Sequence, residues 1–278
     1  MSASVFAIIL FAALCHAVWN AIVKNADDKM MTAVLVSASA AAVGVVVLPF
    51  VAQPAPAAWP YIAVASVFQV VYYFLVAAAY RHADMSQAYP LMRGSAPLIV
   101  AAASALWLHE NLSLTEWTGI ALVSAGVIGT ALAARGAGGG RGIAFALVNA
   151  VVIAGYTLTD GVGVRLSGAT VGYVMWGFVL TGIPLVGWTA AMRGASFRRY
   201  AAANLHLGAI GGVGTLVSYG LALWAMTVAP VAIVAALRET AILFAVAIAA
   251  LVLKERVGAP RLAAVAVIAA GAIVLRLA

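Results

Sequence analysis

Residues 93–112 read RGSAPLIVAAASALWLHENL, and residues 238–257 read RETAILFAVAIAALVLKERV. Aligned at a constant shift of 145 residues, they set Arg93 on Arg238, Leu108 on Leu253 and Glu110 on Glu255, and the same shift continues without a gap to Gly126 on Gly271. Alanine and leucine matches carry little information in an apolar chain, whereas arginine, glutamate and glycine matches do. A looser match sets Ala17-Val18-Trp19-Asn20 beside Ala154-Gly155-Tyr156-Thr157. The chain is therefore read as a duplicated unit, an organisation that in membrane proteins places a pseudo-two-fold axis between two halves.

Composition says where such a chain lives. Of 278 residues 66% are apolar and 8% charged, against about a quarter charged in soluble domains, and the mean hydropathy is +1.11. No water-soluble surface can be built from this, which excludes a soluble enzyme, a nucleic-acid binder and a disordered chain. The net charge of +7 is read as membrane orientation rather than affinity for nucleic acid. The single cysteine, Cys15, permits no internal disulfide.

A bilayer core about 30 Å thick needs roughly 20 apolar residues per helix. Ten such runs occur: Ser4–Val23, Met31–Val51, Trp59–Tyr80, Ser86–Leu108, Leu114–Ala134, Gly142–Val162, Thr170–Met192, Leu207–Val228, Val231–Leu253 and Arg261–Leu277. The first lacks a basic leader and a small-residue cleavage site, so it is expected to be retained. The glycine-rich linker 136–141 near the midpoint separates residues 1–135 from 142–278, five runs in each. Because five is odd, the second half enters the membrane from the opposite side. The predicted fold is an all-α polytopic membrane protein of ten transmembrane helices arranged as two inverted five-helix repeats. Loops after odd-numbered runs hold eleven of the Lys and Arg residues and those on the other side hold only Arg165 and Arg276. Multi-pass insertion in the cell's inner (plasma) membrane with both termini non-cytoplasmic follows from that asymmetry.

An ionisable side chain inside a bilayer costs at least about 2.5 kcal/mol, so each needs a partner or a wet cavity. Arg93 and Arg238 lie deep in the fourth and ninth runs, and guanidinium groups bind carboxylate or phosphate bidentately at any working pH. They are candidate anchors for a small anionic or zwitterionic solute. The alternative is that each is a structural tie, pairing with Glu239 or Asp160. Those two carboxylates are also the candidates for proton coupling, and Asp160 has Arg238 and Arg165 as possible partners. His16, Trp19, Asn20, Gln69, Tyr73, Tyr156 and Tyr219 carry polar handles on apolar helices and are expected to line a cavity. Pro90 and Pro97 bracket Arg93, so the fourth helix is predicted to bend there as a gate. Gly208 and Gly212 allow close helix approach in the eighth run. The histidines have no helical metal-ligand spacing, and neither HExxH, GxSxG nor a Walker-type loop occurs, so no metal, cofactor or enzymatic activity is expected.

These features resemble the EamA branch of the drug/metabolite transporter superfamily. The likeness rests on the ten short helices, the half-repeat, the Leu108-His109-Glu110-Asn111-Leu112 motif recurring as Leu253-Lys254-Glu255-Arg256-Val257, the glycines Gly126 and Gly271, and Trp19 followed by Lys24 near the end of the first helix. The opening His16–Lys24 further resembles a subgroup of permeases, some associated with phosphonate-utilisation genes. The resemblance implies a secondary active transporter, commonly an exporter of amino acids or related organic anions, working by alternating access on a small-molecule substrate with proton or exchange coupling. Its cavity would be formed by the inner four helices of each half, with the fifth and tenth peripheral. The competing reading is an exporter of cationic, drug-like or quaternary-amine compounds relying on Glu239, Asp160 and the aromatics.

Overall fold

In lipid a backbone amide or carbonyl finds no water, so an apolar segment satisfies its own hydrogen bonds by coiling. The computed structural model describes residues 1–24, 26–133, 139–252, 254 and 257–278, all of which are helix or short connection. The first half of the linker, residues 136–138, together with Leu253, Glu255 and Arg256 of the repeat motif, lies outside the described residues. The helices are α1 (Ala3–Lys24), α2 (Lys29–Val47), α3 (Trp59–His82), α4 (Met85–Trp107), α5 (Leu114–Ala133), α6 (Gly140–Ser167), α7 (Thr170–Ala203), α8 (Leu205–Met226), α9 (Val231–Arg238), α10 (Ala241–Leu251) and α11 (Ala259–Leu277). Among the described residues nine spans are long and apolar enough to cross a membrane, α9 and α10 together forming one of them. The tenth, α4, is of similar length but diluted by Arg93, Gly94, Ser95 and two prolines.

Local chemistry starts several of these helices. Asp28 caps α2 by accepting from the Met31 amide at 2.9 Å, and Pro occupies the first turn of α3 and α11, where its missing N–H costs nothing. Three details depart from the sequence reading. Helix α6 runs on past Val162 to include Arg165. Helix α7 does not stop at Met192 but turns at Gly194, at φ 49°, and a further helical stretch docks through Tyr200 on Thr32 and the Asp28 carbonyl. In the ninth span the helix is interrupted, while α4 is assigned as one continuous helix through Pro90 and Pro97.

That interruption spans Glu239 and Thr240. The amides of Glu239, Thr240, Ile242 and Leu243 each bond three residues back, to Ala236, Leu237, Glu239 and Thr240, and the Thr240 hydroxyl takes the Leu237 carbonyl at 2.6 Å. A tight i→i−3 turn inside a spanning helix is a recognised mark of a functional hinge. All eight residues of α9 are buried, at the centre of the bundle.

Around that centre α1 packs on α8, α2 on α7, α3 on α6 and α4 on α5 and α6. Helices α5 and α11 form an outer pair whose seam is set by the two repeat-related glycines. A Cβ on Gly126 would lie 2.6 Å from Ile268 Cγ1 and 2.8 Å from the Ala264 carbonyl, and one on Gly271 would lie 2.7 Å from the Val123 amide. Gly208 and Gly212 bring α8 equally close to α2, as their spacing predicts. The duplication also shows in the backbone: His109 and Lys254, equivalent at the 145-residue shift, are the only non-glycine residues with positive φ among those described, at 52° and 53°.

Replacing Gly126 by Val is expected to force α5 from α11 and lower stability by about 1–3 kcal/mol, the usual range for overpacking, read as a fall in melting temperature of the purified protein. Gly129→Val, where a Cβ meets nothing closer than 3.5 Å, is the matched control and should melt near the unaltered protein.

Candidate functional site

Deep in the bundle, Arg93 on α4 faces Glu239 at the α9–α10 break. Arg93 Nε donates to Glu239 Oε2 at 3.1 Å and Nη2 to Oε1 at 2.7 Å, with both side chains 6% exposed. This is a bidentate, charge-assisted pair joining residues 146 positions apart, one from each half of the chain. Position in an interrupted helix matters here, because the turn at 239–240 turns a carboxylate inward from a segment that is otherwise mostly apolar.

A cavity of about 490 Å³ ends on this pair. Its floor is Arg93, Glu239 and His16. Its walls are Ala17 and Asn20 of α1, Tyr89 and Pro90 of α4, and Ala241, Ile242, Ala245, Ile248 and Ala249 of α10. Its mouth lies among Met85, Ser86, Thr130, Ala133, Pro260 and Arg261. Those mouth residues stand at the end of the bundle where the odd-numbered loops emerge, so the cavity is open at that end. On the far side of the ion pair Arg93, Pro97, Thr157, Ala235 and Arg238 border a void of about 10 Å³, room for about one water. The ion pair therefore sits between an open half and a closed half.

Beyond it the closed half holds a second polar cluster. Tyr173 donates to Asp160 Oδ1 at 2.9 Å, Tyr219 donates to Asp160 Oδ2, and Gln69 Nε2 donates to the Tyr219 hydroxyl at 3.2 Å. The Arg238 guanidinium lies 5.2 Å over the Tyr219 ring. Asp160 thus takes two phenols as partners and neither arginine proposed for it, and its balance with Arg238 runs through an aromatic ring. Arg165 instead reaches Glu110.

On α1, Trp19 Nε1 donates to His16 Nδ1 at 3.2 Å, which fixes the proton of the neutral ring on Nε2. That buried Nε2 has no partner among the described residues. Asn20 donates back to the His16 carbonyl at 2.8 Å.

Of the residues expected to line one cavity, the structure brings His16, Asn20, Arg93, Glu239 and Pro90 to the open side. It places Gln69, Asp160, Tyr219 and Arg238 in the closed-side cluster, and Pro97 on the small void. Tyr156 packs edge-on against Tyr72, and Tyr73 does the same. Trp19 stands behind His16. Tyr89 and the α10 alanines were not anticipated. Tyr89 lies one turn before Arg93 and so shares its face, a legible signal, whereas alanines in an alanine-rich chain carry none. No group of three or more His, Cys, Asp or Glu side chains comes together among the described residues.

The sequence profile of the EamA-like transporter family matches residues 3–132 and again 140–277. The chain belongs to the EamA-like transporter family. It is a multi-pass membrane transporter of the drug/metabolite superfamily, in which two EamA repeats make up nearly the whole polypeptide. A crystal structure of another protein superposes with a TM-score of 0.76 over 100% of this chain and 99% of its own, at 20% identity, a likeness of fold. No functionally curated protein matches the sequence.

Breaking a buried pair strands a charge, at a typical cost of about 3–5 kcal/mol, while replacing both partners with apolar residues is often neutral. Glu239→Gln is therefore expected to lower the melting temperature of this EamA-family protein more than the double substitution Arg93→Met, Glu239→Leu. A loss from the double variant equal to the sum of the losses from the two single variants would show the pair to be uncoupled.

Proposed function

We propose that this transporter works by alternating access on a small polar metabolite carrying both a carboxylate and an ammonium, such as an amino acid. One observation carries the reading: a guanidinium and a carboxylate, already paired with each other, form the floor of a mostly apolar cavity. A plain anion arriving there meets Glu239, and a plain cation meets Arg93. A zwitterion replaces both halves of the pair at once, its carboxylate taking Arg93 and its ammonium taking Glu239, so neither buried charge is left alone. The His16 Nε2–H supplies a further donor near the carboxylate end, and the α10 alanines and Tyr89 leave room for an apolar side group.

The end at which the cavity opens carries the loops rich in Lys and Arg, which by the positive-inside tendency face the cytoplasm; this supports loading of substrate from inside, with both termini outside. Two inverted halves enclosing the ion pair supply the symmetry by which the open and closed ends exchange. Glu239, the carboxylate on the cavity floor, is the group placed to exchange a proton with the cavity, with Asp160 the second candidate; exchange of one substrate for another serves the same purpose. The arrangement favours this over a cationic-drug exporter, because the aromatic residues around Asp160 lie on the closed side and do not line the cavity.

In proteoliposomes, Arg93→Ala is expected to reduce substrate flux to background while the protein remains monodisperse. In a thermal-shift screen of the unaltered protein, zwitterionic amino acids should raise the melting temperature more than the corresponding carboxylic acids or amines. Stabilisation by quaternary amines alone would reverse the assignment.

A further inference from the structure

Helix α9 carries Arg238 and leads into Glu239, yet its own sequence provides nothing to hold its beginning. Pro230 precedes it with no side-chain cap. The cap comes from 121 residues away: Glu110, just beyond α4, accepts from the Val231 amide through Oε1 at 2.9 Å and from the Ala232 amide through Oε2 at 3.4 Å. The same Oε1 receives Arg165 Nη2 at 3.1 Å. Arg165, near the end of α6, also closes off the end of α8, with Nε donating to the Met226 carbonyl at 2.7 Å and Nη2 to the Ala229 carbonyl at 3.0 Å. One carboxylate and one guanidinium therefore tie α4, α6, α8 and α9 together at the end of the bundle where the cavity is shut. Placing the anion at a helix N-terminus and the cation at a C-terminus matches both helix dipoles.

We propose that Glu110 and Arg165 are the positioning residues of transport: they clamp the closed end, seat α9 so that Glu239 stays on the floor of the cavity and Arg238 on its closed side, and separate when that end opens. The inference rests on the alternating-access reading. A clamp at this point has leverage because α9 is decoupled from α10 by the turn at 239–240. The first half of the span is held at the shut end while the second half forms the wall of the open cavity. Glu110's side chain is 10% exposed and Arg165's 36% exposed, so the contact is reachable by water from that end without being dissolved by it.

The test uses two cysteine reporters in a full-length Cys15→Ser background, reconstituted in proteoliposomes and treated with a membrane-impermeant maleimide. Ala235→Cys reports the closed side and Ala245→Cys reports the open cavity. In Glu110→Gln and in Arg165→Gln, labelling at position 235 from the closed face is expected to rise roughly tenfold, the population shift that accompanies loss of one charge-assisted contact, while labelling at 245 from the opposite face falls. A general loosening would raise both rates, and unchanged rates would leave the pair without a role; either result overturns the clamp. Arg165→Lys retains charge and bulk but not the three-fold contact, and is expected to give an intermediate shift, so it carries the test where Arg165→Gln does not fold. Failure of zwitterionic amino acids, added as the probe, to change labelling at either reporter in the otherwise unaltered protein would instead sink alternating access itself.

Discussion

A guanidinium in hydrocarbon has to be neutralised by something close, and in this molecule that something is Glu239. The requirement explains more of the structure than any other single contact. It draws α4 against the ninth span, brings the two halves of the chain into register across 146 residues, and places the turn at 239–240 where an unbroken helix would have turned the carboxylate elsewhere. The cavity, its floor and the boundary between open and closed ends are all defined relative to this pair.

The rest of the buried charge follows the same logic with different partners. Asp160 is satisfied by two tyrosine hydroxyls and lies across a phenol ring from Arg238. Glu110 and Arg165 satisfy helix ends as well as each other. Each charge on the central helices thus serves a position in the fold, and those with one side free to a solvent-filled space are the ones that chemistry can use. Among the described residues of the central helices, the Arg93–Glu239 pair is the ion pair that borders the 490 Å³ cavity, which is why transport is proposed there and not at the closed-side cluster.

The fold was largely legible in the sequence because its determinants are local or periodic: spans of lipid-crossing length, an inverted count of five, and polar coincidences at a fixed shift. The shared left-handed turn at His109 and Lys254 shows how closely the duplicated backbone follows the duplicated motif. The site was legible in composition but not in arrangement. Arg93, His16 and Glu239 stand out because ionisable groups are rare in an apolar chain, yet nothing near Arg93 in sequence announces a partner in the ninth span. The break there carries neither proline nor glycine, so it gave no signal, whereas the prolines that did give one lie in a continuous α4. The unequal opening of the two ends is invisible in principle, since a repeat reads alike in both halves.

Because Glu239 stands so far along the chain from Arg93, the two meet only late in synthesis. While the ribosome is still adding the second half, the first five helices hold an uncompensated arginine in the bilayer. A nascent half in that condition gains little from settling early and much from waiting. The ninth span supplies the carboxylate that neutralises Arg93, so the halves are joined by a buried charge pair as well as by the chain.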